Sequence, residues 1–210
     1  MKKRKMLASV GLLAAFAVWT ALVRFVDVQP IGPVDATVGF ATLNGWFHRL
    51  TGVHWWLYTV TDWLGLVPVA VCLGFAVLGL CQWIHRKQIR SVDDSLLILG
   101  GYYLVVMAVY VLFEYVVINR RPVLIDGFLE ASYPSSTTML ALCVMPTAAM
   151  QLRSRVKNIT LRRVVCATIY AFTAFMVVGR AISGVHWLTD IIGGTLVSAG
   201  LVLLYAGLTE

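Results

Sequence analysis

The chain has 210 residues, of which 60% are hydrophobic, and its mean hydropathy is +0.83. A soluble domain of this length is much more polar, so the composition indicates a single-domain integral membrane protein over residues 1–210. The formal charge of +7 would suit a nucleic-acid partner, but the basic residues cluster between apolar runs, so we expect a lipid bilayer and no nucleic acid.

Six runs are long enough to cross, or nearly cross, a bilayer without a charged residue. The fifth is short and is expected to borrow residues from its flanks. The runs predict an all-α bundle of six transmembrane helices, at residues 6–23, 63–84, 95–113, 133–152, 164–179 and 191–208. The first run also resembles a signal peptide, but its long apolar part and the lack of a clear cleavage site favour a retained helix.

Basic residues indicate the orientation of this bundle. Four precede the first run, three follow the second, and five lie between the fourth and the fifth, out of 17 in total. If six helices alternate, these segments share one side, which the positive-inside rule places in the cytoplasm. We therefore expect a multi-pass cell-membrane protein with both termini cytoplasmic and the other loops outside.

The segment between the first two runs has a helical pattern of its own. Apolar side chains recur at spacings of three and four over residues 40–57, and Trp46, Trp55 and Trp56 suit a membrane–water interface. We predict a short amphipathic helix on the outer surface, broken near Gly52. The four cysteines lie in or beside apolar runs without zinc-binding spacing, so neither a metal nor a cofactor is expected.

Three ionisable residues stand between the last two runs, and such groups at a membrane edge are functional candidates. On a helix, His186 and Asp190 share a face, so the carboxylate can hold one imidazole nitrogen and leave the other as nucleophile or base. Arg180 offers a planar fork that suits a phosphate. The alternative is an interfacial arginine and histidine that only extend towards water.

Two further outward segments carry phosphate-binding features. Arg121 follows the third run, and Pro122 is expected to end that helix, because proline disfavours helical geometry in the preceding residue. Ser135 and Ser136 open the fourth run, where the free N–H groups of a helix start bind anions. Together with the segment at His186, these pieces indicate a phosphate-ester site.

This pattern resembles the type 2 phosphatidic acid phosphatase superfamily of membrane lipid phosphatases, whose signature is Lys-x6-Arg-Pro, Pro-Ser-Gly-His and Ser-Arg-x5-His-x3-Asp. The third part matches in full spacing with Gly179 in place of serine, and the residues that match are Arg121, Pro122, Pro134, Ser135, Arg180, His186 and Asp190. The resemblance implies a nucleophilic histidine that becomes phosphorylated, an aspartate that orients it, two arginines that clamp the phosphate, and a serine that donates hydrogen bonds to it.

Two positions depart from the family pattern. Glu114 stands where the family has lysine, and Thr137 stands where it has a second histidine that protonates the leaving group. Threonine is too weak an acid for that step, and losing a general acid costs about 100- to 10,000-fold in rate. We expect Glu114 to pair with Arg120 or Arg121.

The expected function is hydrolysis of a lipid phosphate or pyrophosphate monoester at the outer leaflet, as part of lipid metabolism. Two alternatives stay open: a phosphoryl or headgroup transferase on the same scaffold, and a non-catalytic lipid-binding protein. The pattern does not choose among phosphatidic acid, phosphatidylglycerol phosphate and an isoprenoid pyrophosphate, and it gives no oligomeric state.

Overall fold

The computed structural model describes residues 1–209, which form eight α-helices and no β-strand. This confirms the predicted all-α fold. Short 3-10 turns lie at Pro33–Asp35 and Ile89–Ser91. The helices are α1 (Lys2–Phe25), α2 (Ala41–Thr51), α3 (Trp55–Leu64), α4 (Leu66–Arg86), α5 (Asp94–Tyr115), α6 (Ser136–Arg155), α7 (Ile159–Ile182) and α8 (Leu188–Thr209).

Five helical stretches between residues 1 and 209 are long and apolar enough to cross a membrane: α1, α3 with α4, α5, α7 and α8. The helix α6 has 20 residues but does not reach that hydropathy. It packs against α4, α5, α7 and α8, and half of its residues are buried, so it needs little lipid-facing apolar surface. The count of six spans therefore stays a prediction that depends on α6.

The first helix is an integral part of the bundle because it packs along α8. The Ser9 hydroxyl donates to the carbonyl of Gly200 at 2.8 Å, and the Trp19 indole donates to the carbonyl of Thr189 at 3.2 Å. Small residues at such contacts let helix backbones approach closely. A buried cluster on α5, α6 and α8 includes Leu99, Tyr102, Cys143, Leu201 and Tyr205.

The region predicted as one broken amphipathic helix is two helices with different surroundings. The predicted break is confirmed, since α2 ends at Thr51 and Gly52 adopts a φ of +67°. After the break, α3 packs on α7 and continues through Gly65 into α4. On α2, the buried residues are Ala41 and Asn44, and the Asn44 amide donates to the Thr189 hydroxyl at 3.0 Å.

The prediction that Pro122 ends the third apolar helix is wrong, because α5 already ends at Tyr115. A hairpin-like loop follows. The Ser132 N–H donates to the carbonyl of Asn119 at 3.0 Å, and the Arg121 N–H donates to that of Glu130 at 3.1 Å. These bonds satisfy backbone groups that a longer helix would have paired internally. Arg121 therefore lies on a loop, directly opposite Glu130.

The two ends of the bundle carry different polar groups. At one end, Asp93 pairs with Arg86 and Arg155, at 3.3 Å each. At the other end, the loop after α5, the start of α6 and the α7–α8 connection meet. All the predicted site residues lie on or beside these segments.

Candidate active site

The imidazole of His186 is buried in the connection between α7 and α8 and has polar contacts on both ring nitrogens. Nδ1 lies 3.2 Å from the carbonyl oxygen of Ser132, and Nε2 lies 3.3 Å from Nη1 of Arg121. A carbonyl only accepts and a guanidinium only donates, so these partners assign the proton to Nδ1 and the lone pair to Nε2. Nε2 is therefore the nitrogen with nucleophilic character.

The surroundings of His186 keep the ring neutral. Burial lowers its pKa well below the usual value, and the positive charges of Arg121 and Arg180 lower it further. The hydrogen bond to the Ser132 carbonyl opposes this shift but does not reverse it. A neutral imidazole keeps the lone pair that attack on phosphorus requires.

Asp190 lies in the first turn of α8 and is fully buried. Its Oδ2 lies 3.6 Å from His186 Nδ1, beyond hydrogen-bonding distance, and accepts the N–H of Trp187 at 2.9 Å. That bond caps the start of α8 as the acidic residue of a capping box does. Its carbonyl accepts the N–H of Ser135 at 3.1 Å. Asp190 thus connects the helix starts on either side of the imidazole.

Arg121 is buried between an acidic residue and the imidazole. Its Nε lies 2.9 Å from Oε2 of Glu130. The Nε–H is not directed at that oxygen, so the contact is an ion pair without a hydrogen bond. The expected pairing of Glu114 with Arg120 or Arg121 is wrong, since none of the ion pairs within residues 1–209 includes Glu114. Its carboxylate interacts with Tyr110 one turn earlier instead.

Arg180, the other predicted clamp, is held from α3. Its Nη2 lies 3.1 Å from the Asp62 carboxylate, and its Nη1 donates to the Thr61 hydroxyl at 3.2 Å. The guanidinium carbon lies 4.8 Å from the centre of the Tyr58 ring. Only 1% of the Arg180 side chain is exposed. Its charge still reaches His186, although much of its hydrogen-bonding capacity is used by α3.

Ser135, Ser136 and Thr137 at the start of α6 have different surroundings. Ser135 is the N-cap residue, and its hydroxyl is buried with no hydrogen-bond partner in the described chain. Ser136 lines the cavity that contains His186. Thr137 lines a neighbouring apolar groove instead. The structure therefore does not place Thr137 beside the imidazole.

The cavity at His186 has a volume of about 490 Å³ and a polar lining. Its polar lining residues include Glu114, Arg121, Glu130, Ser132, Ser136 and His186. The apolar groove has about 510 Å³, lies between the α3–α4 stretch, α5 and α6, and shares Tyr110, Ser136 and Met139 with the cavity. A polar cavity thus adjoins a long apolar surface.

Sequence reasoning missed three residues that contact the predicted site residues. Glu130 and Asp62 each pair with one of the two arginines, and Ser132 provides the carbonyl on His186 Nδ1. Asp62 had a usable signal, because it is a lone acidic residue in a long apolar segment. Glu130 lies in a polar loop, where acidic residues are common, so the sequence does not mark it as a functional residue.

An apolar helical bundle with several candidate spans and a buried polar site defines a multi-pass membrane protein. The family model of the PAP2 superfamily matches residues 95–209, more than half of the chain. The chain belongs to the PAP2 superfamily. The matched residues contain α5 to α8, and therefore Arg121, Ser135, Arg180, His186 and Asp190.

The fold is similar to a solved structure, described as the crystal structure of the first transmembrane PAP2 type phosphatidylglycerolphosphate phosphatase from Bacillus subtilis. The TM-score is 0.61 at 22% sequence identity, over 95% of this chain and 94% of that one. At this identity the likeness concerns the fold. No curated protein sequence matches the chain.

Proposed function

We propose that this membrane protein is a lipid phosphatase that transfers the phosphoryl group of a lipid phosphate to His186 and then to water. The observation that carries the proposal is a neutral imidazole whose Nε2 faces Arg121 in a polar cavity of about 490 Å³. A neutral nucleophile beside a cation that can bind the phosphate is the arrangement that phosphoryl transfer to a histidine needs.

Five residues of the site have a defined task in this reaction. Arg121 moves from Nε2 onto the phosphate oxygens, and the Ser135 hydroxyl and the N–H groups at the start of α6 donate to them. His186 Nε2 attacks phosphorus as the bond to the lipid oxygen breaks. The Ser132 carbonyl holds the proton on Nδ1, and Asp190 stabilises the positive charge that develops on the ring. Water then cleaves the phosphohistidine and releases phosphate.

The apolar groove supports a lipid substrate over a soluble one. It begins at the cavity, at Tyr110, Ser136 and Met139, and runs between helices that are apolar enough to lie in a membrane. An acyl or isoprenoid chain in the groove would bury apolar surface at about 25 cal/mol per Å². A headgroup phosphate can then occupy the cavity while the chain stays in the membrane.

The orientation we propose follows from the basic loops. With the α4–α5 and α6–α7 connections in the cytoplasm, the cavity opens at the outer leaflet of the cell membrane and both termini are cytoplasmic. Single cysteines at Lys157 and Asp126, introduced one at a time, test this with an impermeant thiol reagent on whole cells. Asp126 should label and Lys157 should not. The same labelling of both would contradict the orientation.

A second candidate is a lipid-binding protein without turnover. Thr137 stands where the PAP2 superfamily has a histidine that acts as general acid, and it lines the apolar groove. Arg121 is paired with Glu130. This candidate predicts that lipid phosphates bind without release of phosphate.

One experiment separates the two candidates. Purified protein is incubated with phosphatidic acid, phosphatidylglycerol phosphate and an isoprenoid pyrophosphate, and released phosphate is measured for the wild type, His186→Ala and His85→Ala. His85 is an exposed residue near the end of α4 and serves as the matched control. We expect release by the wild type and His85→Ala, none by His186→Ala, and covalent phosphate on His186 by mass spectrometry. Full activity of His186→Ala would refute the mechanism.

A further inference from the structure

The proposed reaction needs a proton for the lipid oxygen that leaves, because an alkoxide is a poor leaving group. The hydroxyl of Thr137 is too weak an acid, and that residue lines the apolar groove rather than the cavity. A donor that works at neutral pH has to be a carboxyl, an imidazole or a group of similar acidity. The inference below rests on the proposed function and names that donor.

Two carboxyl groups line the cavity that contains His186, those of Glu114 and Glu130. Glu114 lies near the end of α5, and its carboxylate interacts with the phenol of Tyr110. Glu130 faces Arg121 across the hairpin-like loop, and Arg121 contacts Nε2. Only Glu130 is therefore connected to the nucleophile through the residue that would bind the phosphate.

The contacts through Arg121 limit how far Glu130 can lie from His186 Nε2. In an in-line attack, phosphorus lies about 3–3.5 Å from the attacking nitrogen, and the leaving oxygen lies one bond beyond. A donor within about 2.6–3.2 Å of that oxygen is then about 7–8 Å from the nitrogen. His186 Nε2 lies 3.3 Å from Arg121 Nη1, and Nε of the same guanidinium group lies 2.9 Å from Glu130 Oε2. Glu130 is therefore within reach of this position.

We propose that Glu130 is the proton donor to the leaving lipid oxygen and the base in the second half of the reaction. As the bond from His186 Nε2 to phosphorus forms, the bond to the lipid oxygen breaks, and that oxygen takes the proton of the Glu130 carboxyl. The ionised carboxylate then takes a proton from the attacking water, and phosphate leaves. His186 is neutral and Glu130 is protonated again, so the cycle balances without a further reactant.

The position of Glu130 allows it to exchange its proton. About 45% of its side chain is exposed, so water reaches the carboxyl. In the free site the carboxylate pairs with Arg121. In the proposed cycle, an anionic phosphate replaces the carboxylate on Arg121, and the displaced carboxylate takes its proton from the water that reaches it.

The test uses the leaving group of the substrate. Glu130→Gln keeps the size of the side chain but cannot donate the proton, so kcat/KM on an alkyl lipid phosphate should fall about 100- to 10,000-fold. On an aryl phosphate such as p-nitrophenyl phosphate, whose phenolate leaves without protonation, kcat/KM should fall less than tenfold. This constant reports the steps up to departure of the leaving group and excludes the later cleavage of the phosphohistidine, in which Glu130 acts for both substrates. Asp126→Asn is the matched control and should keep both rates. Glu114→Gln tests the other carboxyl of the cavity and should not show the loss that is specific to the alkyl substrate. Glu130→Asp, which retains an acid, should recover part of the alkyl rate.

Each alternative result has a definite meaning. Equal losses of kcat/KM on both substrates would overturn the proposal, because Glu130 would then act in the first step only by holding Arg121. Unchanged rates, or the alkyl-specific loss in Glu114→Gln, would also overturn it. If the wild type released phosphate from neither substrate and carried no phosphate on His186, the proposed function would fail and this inference with it. A folding defect is recognised by the elution volume and thermal unfolding of each variant.

Discussion

Gly184 separates Arg180 from His186, and its replacement by alanine tests how the fold positions the imidazole. The residue has a φ of +71°, which alanine adopts only with strain. A Cβ built there would lie 1.9 Å from the carbonyl oxygen of Gly52 and 3.0 Å from Cα of Val53. Both contacts are with backbone, so no side-chain rotation relieves them. The N–H of His54 also donates to the carbonyl of Ser183 at 2.9 Å, which ties the two loops together.

The expected cost has two parts. A left-handed alanine costs about 1–2 kcal/mol, and the overpacking adds about 1–3 kcal/mol. Gly184→Ala should therefore lower the free energy of unfolding by about 2–5 kcal/mol. The separation of the two loops should also move His186 from Arg121 and the Ser132 carbonyl. Phosphate release should therefore fall even at a temperature at which the variant is still folded, because the imidazole is displaced.

Denaturant unfolding in detergent, followed by tryptophan fluorescence, measures the first effect, and phosphate release measures the second. Gly101→Ala is the control, because this α5 glycine has open space at the Cβ position. It should be neutral or stabilising by about 0.5–1 kcal/mol. A Gly184→Ala protein with stability within about 0.5 kcal/mol of the wild type would refute this account of the loop.

Four further predictions concern the charged groups of the site. Asp190→Asn keeps an oxygen that accepts the Trp187 N–H but removes the negative charge beside the imidazole. The value of kcat should therefore fall about 10- to 100-fold with KM little changed. A wild-type rate would contradict the role of Asp190 in stabilising the charged ring. Asp62→Asn leaves Arg180 without its carboxylate partner. Because half of Asp62 is exposed, the free energy of unfolding in denaturant should fall by about 1–3 kcal/mol, less than for a fully buried pair. No change would mean that water already screens the contact. The lowered pKa of His186 predicts that the loss of kcat/KM caused by protonation of its ring begins below about pH 6.5. The stability that comes from the neutral ring is present above about pH 6.5 and is lost as the pH falls from there towards the lowered value. Arg121→Gln removes one cause of that shift, so the pKa of His186, followed by NMR of the imidazole in the free protein, should rise; an unchanged pKa would exclude Arg121 as a cause.

The structure changes what the family pattern predicts for positions 114 and 137. The family pattern predicts that lysine at position 114 and histidine at position 137 would raise activity. Position 137 lines the apolar groove, so we expect Thr137→His alone to help little unless the imidazole turns towards Ser136 and the cavity. Phosphate release by Thr137→His, beside Thr138→His as a neighbouring control, measures this. A gain of tenfold or more would indicate that position 137 reaches the leaving oxygen.

The helices are determined mainly by local sequence. Each apolar run corresponds to a helix, because a chain in or beside lipid has to satisfy its backbone groups internally. The fifth run did extend over its flanks, to Ile159–Ile182. The spacing of His186 and Asp190 indicated a close pair, and their side chains lie 3.6 Å apart. The expected helix face and the hold of the carboxylate on the imidazole are not found, because α8 begins only at Leu188 and Nδ1 contacts the Ser132 carbonyl.

The partners of the arginines were decided by tertiary structure. Arg180 and Asp62 are 118 positions apart and meet because α3 packs on α7. Glu130 faces Arg121 because α5 ends at Tyr115 and the chain turns back on itself, where the sequence predicted a helix up to Pro122. Periodicity reports which face of one helix is apolar, but it carries no information on which distant segment covers that face. The sequence by itself therefore determined the membrane helices and the candidate nucleophile, while helix packing and a loop hairpin decided which charges surround it.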